Sequence, residues 1–132
     1  KVATRLNNQR THHFAPLNVC IQVNQATEPQ KGGVDPTGVE ALARGIMKLP
    51  YLQLRGLMTI PPTTQNPADS AQFFAELRKL KEQLAIKGIP METLSMGMSS
   101  DLEIAIREGS TIVRIGTAIF GPRTLKIKNP NK

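Results

Sequence analysis

Along residues 17–24 the chain alternates, with Val19, Ile21 and Val23 on one side and Cys20, Gln22 and Asn24 on the other, the period of a strand. A second β-rich run covers residues 52–60 and stops at Pro61-Pro62. Between these strands Val39, Leu42, Ala43, Ile46 and Leu49 recur at helical spacing. Asp35 and Pro36 supply the N-cap and first-turn pair ahead of that helix, and Pro50 closes it. A longer helix follows, capped by Asp69 or Asn66, with Phe73, Leu77, Leu80 and Leu84 as its buried stripe and Phe74 widening it. Gly88 and Pro90 end that helix. A third strand is predicted over residues 92–96 and a helix from about Ser100 to Glu108. A fourth strand is predicted over residues 111–115, and a single helical turn over Thr117–Phe120. Residues 1–10 read as a helix with Val2, Ala3 and Leu6 as its apolar stripe. That helix has no start signal, so the chain is expected to be cut from something longer. Residues 11–16 and 25–38 are loops, the second long and rich in Gly, Pro and charge.

Strands alternating with helices imply an α/β fold in which parallel strands are joined by right-handed crossovers. No repeat or linker divides the chain, so residues 1–132 are read as a single partial domain. Two architectures accommodate this order. One is an open sheet with helices on both faces. The other is half of an eight-stranded barrel, which in full takes about 250 residues.

Composition narrows the functional classes. The net charge is +7, but aromatic residues make up only 4%, leaving little to stack on bases, so nucleic-acid binding is a minority reading. The basic residues are scattered apart from Arg123, Lys126, Lys128 and Lys132, which fall in a tail expected to be loose. The single cysteine, Cys20, excludes an intrachain disulfide, is expected to be a packed thiol, and suits a cytoplasmic setting. No apolar run approaches the roughly 20 residues of a membrane helix. His12 and His13 are adjacent without carboxylate or cysteine neighbours, a poor metal pair, and no nucleophilic triad order stands out.

The chemistry concentrates at two glycine-bearing strand ends. One runs through Gly97 into Ser99, Ser100 and Asp101; the other through Arg114 into Gly116 and Thr117. Glycine admits a ligand close to the backbone, and free N–H groups beside hydroxyls suit an anion such as phosphate or sulfate. Each segment alone is an ordinary turn. Together, on successive strands, they point to a phosphate-bearing ligand.

Ser95-Met-Gly-Met-Ser-Ser-Asp-Leu-Glu-Ile-Ala105 followed by Gly109-Ser-Thr-Ile-Val-Arg-Ile-Gly-Thr-Ala-Ile-Phe-Gly121 resembles the C-terminal signature of the pyridoxal phosphate homeostasis proteins. Asn18-Val-Cys-Ile-Gln-Val-Asn24, the spaced Glu28, Lys31 and Gly33, and Leu54-Arg-Gly-Leu-Met-Thr-Ile-Pro61 fit the same family in the same order. Members of that family resemble the barrel domain of alanine racemase. The resemblance therefore implies the second half of a barrel, its strands at positions five to eight. The phosphate-like turns then follow strands seven and eight, where such barrels commonly bind phosphate.

It further implies a cofactor, pyridoxal phosphate. Ser99, Ser100, Gly116 and Thr117 would surround the phosphate beside Gly97, and Arg114 would face the pyridine nitrogen. Met58 is a candidate lining residue, although core filling is its commoner role, as for Met96. The lysine that holds the cofactor's aldehyde would lie upstream of Lys1. A cation at the pyridine nitrogen disfavours protonating it, which fits a carrier without catalytic turnover, although a racemase can share the feature. Lys31 would be an anion contact or a solvated charge. Alternatives are a fragment of a racemase-like enzyme and a basic module binding anions or nucleic acid. Expected partners are the missing N-terminal half or a second copy of the chain, and no membrane.

Overall fold

The computed structural model describes residues 1–124. Its elements are α1 (Val2–Gln9), β1 (Leu17–Gln22), α2 (Val39–Met47), β2 (Leu52–Met58), α3 (Pro67–Ile86), β3 (Thr93–Ser95), α4 (Leu102–Arg107) and α5 (Thr117–Phe120). A 3₁₀ turn, Pro36–Gly38, leads into α2, with the Asp35 side chain accepting from the Thr37 and Gly38 N–H groups. The basic residues Lys126, Lys128 and Lys132 lie outside the described residues.

The three strands form one parallel sheet in the order β1-β2-β3. Ile21, Leu52, Leu54, Leu57 and Leu94 project from one face onto Val39, Ala43 and Ile46 of α2, Phe74, Leu77 and Leu84 of α3, and Ala105 of α4. Each Val, Leu, Ile or Phe side chain among these contributes about 1.5–3 kcal/mol when taken from water. The alternate positions Asn18, Cys20, Gln53 and Arg55 are exposed on the other face. Among the described residues, helices thus cover one face of the sheet.

β1 and β2 slip register between Val19 and Cys20, so that Leu54 pairs with Val19 but Gly56 with Cys20. Gly56 is required there: a Cβ on it would stand 1.8 Å from the Thr93 carbonyl oxygen. The bulged Arg55 reaches over the open face to Asn18 Oδ1 at 2.9 Å and Glu92 Oε1 at 3.1 Å.

Several sequence expectations need correction. The fourth strand does not form; residues 111–115 make one isolated bridge, Ile112 to Ser95. Gly97 takes a positive φ, Arg114 N–H goes to the Gly97 carbonyl at 2.9 Å, and Asp101 captures the Met98 N–H, so the ladder breaks after one step. In α3 the deeply buried aromatic is Phe74 at 0% exposure, with Phe73 half-buried, while of the two expected caps it is Asn66 that accepts from Ala68 N–H. Helix α4 begins at Leu102, two residues after the expected Ser100. In α1 only Ala3 of the expected apolar stripe packs against the core, with Val2 and Leu6 exposed; the buried residue is Asn7, whose Oδ1 accepts the Tyr51 N–H at 2.9 Å. Cys20 is exposed on the open face rather than packed.

Candidate functional site

The first site turn follows β3. Gly97 has φ of +100°, and a Cβ on it would lie 2.6 Å from the Ala105 Cβ, so α4 can pack tightly against the strand end. Asp101 closes the turn from both sides. Its Oδ1 accepts the Met98 N–H at 2.8 Å, and its own N–H donates to the Met98 carbonyl at 3.2 Å. That engagement also delays the start of α4, because a carboxylate spent on Met98 does not cap the helix behind it.

The second turn is Gly116, whose carbonyl accepts from Ile119 and Phe120 and winds α5. Ser99 ties the two turns together: its Oγ accepts the Ala118 N–H at 3.1 Å. Between them opens a cleft of about 510 Å³ lined by Met98, Ser99, Ser100, Gly116, Thr117, Phe120, Gly121 and Arg123. Four of the residues expected to hold an anion, Ser99, Ser100, Gly116 and Thr117, therefore meet in one place. Among the described residues, no N–H of these four donates to a protein acceptor. The cleft has hydroxyls, free amides and a cation, a donor set that fits a phosphate group. Arg123 is among the residues lining this cleft.

Arg114 is not among the residues lining that cleft. Its guanidinium turns over the open end of the sheet, donating to the Thr59 carbonyl at 2.9 Å and the Ser95 hydroxyl at 3.4 Å. Burial lowers its pKa from the ordinary arginine value, and the Asp101 carboxylate pulls it back up. The ends of β2 and β3 thus converge on one cation held by neutral acceptors. Met58, paired with Gln22 and Ser95, is half-buried beside this point, whereas Met96 is fully buried in the core.

Sequence reasoning missed Thr59 and Ser95 as partners of Arg114, and Ala118 as the donor that locks Ser99. The available signal was Thr59 itself, a hydroxyl closing an apolar strand. It is 1% exposed and donates to the Val23 carbonyl at 3.3 Å. Lys31 stays apart from the cleft, with Nζ 3.4 Å from Glu28 and 3.4 Å from the Pro61 carbonyl, so it joins the loops that follow β1 and β2. The Cys20 thiol has its pKa raised by partial desolvation and by Glu92.

The family model of the alanine racemase N-terminal domain matches residues 1–124. The pyridoxal phosphate homeostasis protein of Pasteurella multocida is 50% identical over 125 residues, covering 93% of this chain and 54% of that protein. Its counterpart in Escherichia coli K12 is 43% identical over 123 residues, covering 93% and 53%. The chain thus spans about half the length of the curated relatives it matches. Among solved structures, PipY of Synechococcus elongatus with pyridoxal phosphate bound aligns with a TM-score of 0.79 at 33% identity, covering 91% of this chain and 56% of PipY. Diaminopimelate decarboxylase of M. jannaschii shares the fold at 13% identity, with a TM-score of 0.72, covering 89% of this chain and 36% of the enzyme. The chain belongs to the alanine racemase N-terminal domain family, and its resemblance within that family runs to the pyridoxal phosphate homeostasis proteins.

Proposed function

We propose that this chain supplies the phosphate and pyridine side of a pyridoxal phosphate site in a protein of vitamin B6 homeostasis. The carrying observation is the cleft in which the Gly97–Ser100 turn and the Gly116-Thr117 turn meet, locked by Ser99 to Ala118 at 3.1 Å. In this reading Ser99, Ser100 and Thr117 give hydroxyl contacts, and the N–H groups of Gly116 and Thr117 give backbone contacts. Arg114, beside Met58, faces the ring nitrogen.

When bound, pyridoxal phosphate supplies an electrophilic aldehyde and a ring able to accept electrons. The residues of this chain bind and orient. A cation opposite the ring nitrogen disfavours a proton there, which suits carriage without turnover. The three parallel strands are then part of the second half of a barrel, completed by the missing half or by a second copy. The setting is cytoplasmic, and the lysine for the aldehyde comes from the other half.

The test is a titration of the chain with pyridoxal phosphate, followed by amide NMR and by borohydride reduction with peptide mapping. Shifts should centre on residues 99, 100, 116 and 117, with no single lysine labelled stoichiometrically. Shifts confined elsewhere, or one fully labelled lysine, would remove this reading.

A further inference from the structure

Behind the cleft stands one carboxylate with no contact in it. Asp101 lines a separate cleft of about 400 Å³ between the 60–67 loop and the start of α4, and Met98 and Ser100 line both clefts. The turn is thus a thin wall, with the proposed phosphate position on one side and a negative charge on the other. Holding the Met98 N–H at 2.8 Å needs only a carbonyl-type oxygen. An asparagine would do this without charge. The charge therefore has a separate consequence: it repels an anion through a wall one turn thick. Arg114 feels the same carboxylate, yet among the described residues the two form no ion pair, so the charge is not cancelled at contact. Arg123 lines the anion side, and Glu103, the other acid of this helix start, is exposed.

We propose that Asp101 is a positioning residue with two separable effects. One oxygen fixes the 97–100 turn through the Met98 N–H, and the charge lowers the cleft's affinity for anions, so that a phosphate group is held exchangeably. This rests on the phosphate reading above. The direction follows from Coulomb's law. Neutralising a carboxylate several ångströms from a phosphate carrying one to two negative charges strengthens binding on the order of three- to tenfold at low salt.

The experiment compares the chain with its Asp101→Asn and Asp101→Ala variants. Each is titrated with inorganic phosphate at low and high salt, with the Gly116 and Thr117 amides as reporters and Met98 amide exchange as the readout of the turn. Asp101→Asn should keep Met98 protected and bind phosphate more tightly, by a factor that shrinks with salt. Asp101→Ala should lose Met98 protection and bind more weakly than Asp101→Asn. Equal or weaker binding by Asp101→Asn with Met98 still protected overturns the role of the charge. Protection unaltered in Asp101→Ala overturns the brace. A wild-type chain whose Gly116 and Thr117 amides ignore phosphate overturns the phosphate reading, and this inference with it, a result distinct from the other two.

Discussion

Gly97→Ala tests the turn on which the site depends. The added methyl meets two penalties. The backbone is in the positive-φ region at +100°, where a side chain costs about 1–2 kcal/mol. The new Cβ also stands 2.6 Å from the Ala105 Cβ, far inside contact distance, on a residue with 0% exposure that has nowhere to retreat. Overpacking of this kind costs about 1–3 kcal/mol. Val113 Cγ1 at 3.4 Å and Leu102 Cα at 3.8 Å are ordinary contacts and add little. The total, about 2–5 kcal/mol, is a large share of the roughly 5–15 kcal/mol that holds a domain folded. Urea unfolding followed by circular dichroism would measure it, in the wild type and again with Ala105→Gly. Removing the opposing methyl should relieve the contact and leave the φ penalty, so the cost of Gly97→Ala should fall to about 1–2 kcal/mol in that background. A cost below about 0.5 kcal/mol, or the same cost in both backgrounds, would refute the packing argument.

Two further outcomes are expected. In a complete barrel containing this segment, Arg114→Glu should weaken pyridoxal phosphate binding and shift the bound absorption spectrum, because a carboxylate would favour the protonated ring nitrogen. The lost bond to the Thr59 carbonyl should cost only about 1–2 kcal/mol in stability, and an unchanged spectrum and affinity would make Arg114 structural. Asp35 accepts from the Thr37 hydroxyl and from the Thr37 and Gly38 N–H groups, which hold its carboxyl below the usual range. Its folded pKa lies below its unfolded one, so its contribution is present above the unfolded pKa and fades as pH falls through the folded one. Asp35→Asn should flatten the acid limb of the stability profile; superimposable limbs would show that the hydrogen bonds do not favour the charged form.

Much of the helix pattern was legible because helix formation leaves a periodic mark on a local stretch. Val39, Ala43 and Ile46 were expected to be buried and are, whereas Leu42 of the same stripe is exposed; Asp35 caps the 3₁₀ turn ahead of α2 rather than α2 itself, and the Thr117–Phe120 turn stands where read. Phe73 and Phe74 were harder. Adjacent residues lie about 100° apart on a helix, and both fit an apolar stripe, so only the position of α3 against the sheet selects Phe74. The fourth strand failed for a different reason. Residues 111–115 have the composition of a strand, but a strand also needs a neighbour with matching free groups. Here Gly97 turns away and Asp101 occupies the Met98 N–H.

The candidate site divides in the same way. The sequence by itself determined which residue types could bind an anion: Ser99, Ser100, Gly116 and Thr117, each a local property of a glycine turn followed by hydroxyls. It also determined the alternation of strands and helices and carried the family signature. Only the tertiary structure decided that these four share one cleft, that Arg123 joins them, and that Arg114 turns instead to Ser95 and Thr59. It likewise decided that the Asp101 carboxylate lies behind the turn. The physical reason is that local geometry and turn chemistry are written within a few residues. Convergence depends on distances between segments far apart in the chain, such as the 2.9 Å from Arg114 to the Thr59 carbonyl, and these are fixed only when the strands pair and the helices pack upon them.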